Sequence, residues 1–217
     1  MTPTTKAALA ALALLAAAAL PACNIVGPAA YIIEGPPRVP AQTSLPEDRS
    51  YVIFVDDRAS NIPRRSLRVI IGQVAEETLI AEDIVDQPNM IAAQSALRAA
   101  MSESPDQPMA IADIGRAVGA SAVIYLTIDA WTLSTDGVSF SPLVAGRVKL
   151  IDAENRARLW PADDRGFQFR VEPATRAADV PRSSAESAQA NEDLARRTGL
   201  ALARLFYEHD RETVRDR

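Results

Sequence analysis

The hydrophobic and polar positions divide the chain into four zones. An almost pure Ala and Leu run occupies residues 7–20. A proline-punctuated stretch follows, carrying Pro28, Pro36, Pro37, Pro40 and Pro46. A body of alternating apolar runs and amphipathic stretches comes next, and a charged end closes the chain. Within the body, Tyr51-Val52-Ile53-Phe54-Val55 is continuously apolar and rich in β-branched and aromatic residues, which suits a strand buried on both faces. Leu67, Ile70, Ile71, Val74 and Thr78 repeat at helical spacing, with Arg64, Arg65, Arg68, Glu76 and Glu77 mostly off that stripe. Pro63 suits the first turn of that helix.

The pattern continues through the body. Ile84-Val85 reads as a short second strand. Asn89 suits an N-cap for a helix from Met90 to Met101, with Met90, Ala93, Leu97 and Met101 on one face. Pro105 and Pro108 interrupt it. A third helix carries Ile111, Ile114 and Val118 and stops at Gly119. Residues 121–133 read as a strand, Asp136-Gly137 as a turn, and 143–151 as the returning strand. Asp152 to Asn155 turns the chain into a strand over 156–160, and Phe167 to Val171 alternates as another. A loop over 174–184 leads to a last helix over 185–209, with a charged tail from Asp210. Strands linked through helices can pair in parallel, and strands linked by tight turns pair antiparallel. The expected fold is therefore α/β (α+β): a single domain over 49–209, with a mixed sheet of about five strands covered by amphipathic helices.

The leader adds an address. Lys6 precedes the 7–20 run, which is too short and alanine-rich for a transmembrane helix of about 20 strongly apolar residues. It has the proportions of a signal-peptide core. The sole cysteine, Cys23, follows Leu20-Pro21-Ala22. This resembles the bacterial lipobox, although Pro21 departs from its usual small residue. The resemblance implies cleavage after Ala22, a diacylglyceryl group on the Cys23 sulfur and acylation of the new amine. Residues 1–22 then form the signal peptide, and 23–48 a lipidated N-terminus with a proline-rich linker. Asn24 stands where an Asp usually retains such proteins in the inner membrane, which favours an outer-membrane lipoprotein facing the periplasm. Ala30-Tyr31-Ile32-Ile33 is an apolar patch in the linker, readable as a surface-lying segment or a contact for a membrane neighbour.

Composition narrows the class. The net charge of −5 becomes −6 once Lys6 is removed with the leader, which argues against nucleic acid as a partner. One cysteine permits no disulfide within the chain.

Few residues offer chemistry. His209, the only histidine, falls near the end of the last helix, where a solvated position is the simpler reading than a catalytic one. Cysteine and histidine are too few for a zinc cluster. Asp56-Asp57-Arg58 follows the first buried strand, where open α/β sheets tend to bind ligands. Two carboxylates there suit a hard cation or a substrate amine. The competing reading is an ion-paired loop in which Arg58, Arg64 and Arg65 anchor the helix start. Asp163-Asp164 reads as a solvated turn. No catalytic residue, metal site or cofactor is expected.

Two stretches carry a family resemblance. Ile111 to Tyr125, a helix ending in Gly119-Ala120 that runs into an apolar strand, resembles a recurring unit of envelope lipoproteins. Val148 to Trp160, a strand, Asp turn and strand ending in Trp, looks like a second such unit. The comparison set is the CsgG-like curli secretion lipoproteins, the LpoB-like activators of penicillin-binding proteins and the TolB N-terminal-like α/β domain. The resemblance implies a mixed sheet with helices and a non-catalytic protein-binding, assembly or adaptor role, with an envelope protein partner or self-association. Curli-type pores need membrane-inserted hairpins, and no convincing alternating pair is present here.

Overall fold

The computed structural model describes residues 37–101 and 108–211. Leu20, Ala22, Cys23 and the 30–33 patch lie outside the described residues, as do Pro105 and the chain beyond Arg211. Two units are distinguished: a body from Pro40 to Glu208, and a small unit holding Val39 and His209.

In the small unit, β1 (Arg38–Val39) pairs antiparallel with β8 (His209–Asp210), with His209 opposite Val39. Arg38 and Asp210 form an ion pair at 3.8 Å. His209 and Asp210 are thus strand residues. The expected final helix is shorter than the 185–209 reading, because it ends at Ala203.

The body is built on β2 (Tyr51–Asp56), whose six residues are all buried. Alternate side chains point to opposite faces of a strand. Tyr51, Ile53 and Val55 accordingly pack against Leu67, Ile71, Ala75 and Leu79 of α1 (Ser66–Ala81) and Leu194, Leu202 and Ala203 of α4 (Ser184–Ala203). Val52 and Phe54 pack with Ala96 of α2 (Ala93–Met101) and Ile114 of α3 (Ile111–Ala117). The continuous apolar run reflects helices on both sides.

The sheet order is β3-β2-β4-β5-β6, with β7 also on β5. Here β3 is Met90–Ile91, β4 Ala122–Thr132, β5 Leu143–Asp152, β6 Arg158–Trp160 and β7 Phe167–Val171. β3 and β4 run parallel to β2, and β5, β6 and β7 add antiparallel pairings. The expected α/β class and mixed sheet are therefore present. Burial along β5 alternates, with Val144, Gly146, Val148 and Leu150 buried and Arg147 exposed. The sheet is covered on both faces at β2 and on one face at β5.

Several local readings change. Ile84-Val85 lies in an irregular turn, and the short strand forms at Met90–Ile91 instead. Asn89 belongs to a 3-10 turn over Gln87–Asn89 that contains Pro88, so the helix starts at Ala93. The side chain of Glu76 accepts from the Ala93 amide at 3.0 Å and serves that end from another helix. Pro63 precedes the first helix, which begins at Ser66. Residues 40–48, read as linker, are part of the body: Leu45 is buried, and the Gln42 amide donates to the Leu205 carbonyl at 2.8 Å.

Candidate functional site

The Asp56-Asp57-Arg58 loop sits at the C-terminal end of β2, as the pattern predicts. β2 terminates there because the chain turns toward α1 on one sheet face. Asp56 is 6% exposed. Its Oδ1 accepts from the Arg58 amide at 3.0 Å. Its Oδ2 accepts from the Tyr125 hydroxyl at 2.8 Å and from Arg58 Nη1 at 3.2 Å. Tyr125 reaches it from β4, one strand over and facing Phe54 in register. The Phe54 and Tyr125 rings stack at 6.0 Å between centroids. Burial first, and the bond to Asp56 second, push the Tyr125 hydroxyl pKa well above its ordinary value. The phenol therefore stays protonated and donates.

Asp57 turns the other way, into its own loop. Its Oδ1 accepts from the Asn61 amide at 2.7 Å, and both its oxygens lie 3.2 Å from the Ile62 amide. Asn61 then donates from Nδ2 to the Ile128 carbonyl at 2.8 Å, stitching the loop across to β4. Arg68 of α1 donates from Nε to the Val55 carbonyl at 2.8 Å. Burial lowers its pKa, and the nearby Asp56 and Asp57 oppose that shift. Of the three arginines read as anchors, Arg58 pairs with Asp56 and also reaches the Met109 carbonyl at 3.0 Å. Arg64 instead reaches α4, at the Ala188 carbonyl (3.0 Å) and Glu192 (3.5 Å).

The loop is thus a brace. Each carboxylate has hydrogen-bond donors from its own loop or from Tyr125, and Asn61 ties the loop to β4 just beyond its pairing with β2. Among the described residues no group of three His, Cys, Asp or Glu side chains is placed to hold a metal ion. None of the helices there is long and apolar enough to cross a membrane. Asp163 caps the Arg165 amide at 2.7 Å, and Asp164 pairs with Arg158, consistent with a surface turn.

Two open grooves lie elsewhere in the body. One, of about 480 Å³, runs over the uncovered face of β5 and β7 and is lined by Asp129, Arg147, Arg165 and Arg170 among others. Arg147 forks onto Asp129, with Nη2 to Oδ1 at 2.7 Å and Nε to Oδ2 at 2.9 Å. The other, of about 420 Å³, lies between residues 44–49 and 83–89, with Tyr51 and Phe206 in its wall. Neither groove was found from the sequence. The polar positions of β5, Arg147 and Lys149, were the available signal for the first. Tyr125 and Asn61 were also missed, since both owe their roles to strand pairing across more than 60 positions.

No family model matches the chain, and no curated protein matches it. Among solved structures it is similar to a PelC dodecamer from Paraburkholderia phytofirmans, at 17% identity and TM-score 0.39, covering 76% of this chain and 96% of that one. It is also similar to lipoprotein GNA1162 from Neisseria meningitidis, at 13% identity and TM-score 0.37, covering 67% and 95%. A third is the hypothetical protein CT253 from Chlamydia trachomatis, at 16% identity and TM-score 0.38, covering 73% and 91%. Likenesses this distant carry no function across.

Proposed function

We propose that this chain is a lipid-anchored envelope lipoprotein whose α/β body serves as a non-catalytic protein-binding, assembly or adaptor module. The observation that carries the reading is the leader: an Ala and Leu run closed by Leu20-Pro21-Ala22-Cys23, with the only sulfur nucleophile at the acceptor position. Two or three acyl chains, each burying methylenes worth about 0.8 kcal/mol apiece, hold such a body durably at a bilayer. The proposed location is the outer membrane, with the body facing the periplasm. The resemblance of 111–125 and 148–160 to CsgG-like and LpoB-like units supports an assembly or adaptor role. The alternative, a small-ligand or cation site at Asp56-Asp57, draws no support from a loop whose carboxylates already brace their own backbone and Tyr125.

The test is mass spectrometry of the mature N-terminus, followed by crosslinking in intact cells. A first residue of Cys23 carrying diacylglycerol, and a Cys23→Ala form that leaves the membrane fraction, are the expected results. An unmodified thiol at Cys23 would sink the anchor. Failure to crosslink any protein reproducibly would sink the adaptor role.

A further inference from the structure

The outer edge of the sheet offers an interaction surface whose partner its own pattern specifies. β7 pairs with β5 along its whole length, from Val171 opposite Val144 to Phe167 opposite Val148, with no break in register. Among the described residues it pairs with no other strand. In such a strand alternate N–H and C=O groups point away from the neighbour. Among the described residues no backbone hydrogen bond outside the β5 ladder reaches residues 167–171. Exposed edges of this kind are usually blunted by proline, a bulge, an inward charge or shortness. The other edges are blunted. β3 has two residues and follows a turn containing Pro88. β6 has three residues, a register irregularity against β5, and Pro161 directly after it. β7 is longer, with five residues, and has no proline or bulge within it, its nearest proline being Pro173 beyond its end. Phe169 is buried in the core, while Gln168 and Arg170 are exposed on the opposite face.

We propose that β7 pairs antiparallel with β7 of a second copy of this chain, centred on Phe169. The sequence Phe167-Gln168-Phe169-Arg170-Val171 reads apolar, polar, apolar, polar, apolar in both directions. Antiparallel pairing about its centre sets Phe169 opposite Phe169, Phe167 opposite Val171, and Gln168 opposite Arg170. All apolar side chains then stay on the core face of the joined sheet. No arginine meets an arginine, and each Arg170 faces an amide oxygen. The two-fold symmetric contact closes on itself and leaves no free β7 edge. This deepens the assembly reading by naming one partner. It is independent of acylation, because the strand pairing requires nothing from Cys23.

The experiment is light scattering and sedimentation of the full chain in mild detergent, over a concentration series, with the thermal midpoint recorded for every variant. The wild type, and Cys23→Ser equally, should show a reversible dimer. Gln168→Arg places two like-charged pairs across the joint and should raise the dissociation constant by about tenfold or more. Gln168→Arg with Arg170→Glu restores opposite charges and should restore the dimer. Both positions are exposed, but Gln168 lies opposite Arg147 on β5 and Arg170 pairs with Glu172, so each substitution also lowers the midpoint of the monomer. Association is therefore compared only at temperatures where every variant is folded. A wild type that stays monomeric up to roughly 100 μM, where even weak association registers, overturns the proposal. So does a dimer indifferent to Gln168→Arg, or one the paired swap fails to rescue.

Discussion

Asp56→Ala is the sharpest test of the brace. The carboxylate is 6% exposed and accepts three bonds, from the Tyr125 hydroxyl at 2.8 Å, the Arg58 amide at 3.0 Å and Arg58 Nη1 at 3.2 Å. Removing it strands the half-buried Tyr125 hydroxyl, which costs about 1–3 kcal/mol. The Arg58 side chain is 39% exposed, so its ion pair adds only about 0–1 kcal/mol. Relief of the buried charge offsets part of this, leaving a net loss of about 1–3 kcal/mol. At about 2–4 °C per kcal/mol for a domain of this size, the thermal midpoint should fall by about 2–12 °C. Tyr125→Phe removes the donor and should cost about 1 kcal/mol. The double variant should fall short of additivity by about 1 kcal/mol or more, since the phenylalanine no longer needs the carboxylate. Circular dichroism melts of the four proteins supply the cycle. A midpoint for Asp56→Ala within about 1 °C of wild type, or strict additivity, refutes the brace and reopens the loop as a binding site.

Two further outcomes follow from packing and titration. Alanine normally stabilises a helix over glycine by about 1 kcal/mol, but a Cβ at Gly199 would lie 2.5 Å from the Ile71 carbonyl oxygen and 2.9 Å from Val74 Cβ. The α1–α4 crossing must open to admit it, so Gly199→Ala should cost a net of about 1–2 kcal/mol by urea unfolding, and a gain in stability would contradict the crossing. Asp152 accepts from the Asn155 and Glu154 amides at 3.0 and 2.8 Å and from Arg49 Nη1 at 2.8 Å. The Asn155 amide first, and Arg49 next, depress its pKa in the folded state. The unfolded chain then takes up that proton first, so this contribution is complete above the ordinary carboxylate pKa of about 3.9 and is lost as pH falls through the folded value. Urea midpoints of wild type and Asp152→Asn should converge on acidification, and a gap that widens would reverse the sign.

Much of the architecture was legible locally. The all-apolar 51–55 run signalled a strand covered on two faces, because burial on both sides removes any need for polar alternation. Alternation at 167–171 signalled a strand with one wet face. Two of the places where local reading failed, 84–91 and the end of the last helix, share a cause. Short apolar pairs have no period of their own, so parallel pairing to β2 selected Met90–Ile91 over Ile84-Val85. Antiparallel pairing to Val39 drew His209 into a strand.

At the candidate site, the sequence alone placed Asp56-Asp57 at the end of a buried strand and put Cys23 behind a secretory-type run. Those are properties of neighbouring residues, which chain order suffices to express. Tertiary structure decided what the carboxylates do, because Tyr125 lies 69 positions from Asp56 and Asn61 reaches Ile128 across 67. It also decided which strand edge has no neighbour among the described residues. That depends on which strands find neighbours, and backbone groups carry no side-chain signature by which a sequence could reveal their pairing.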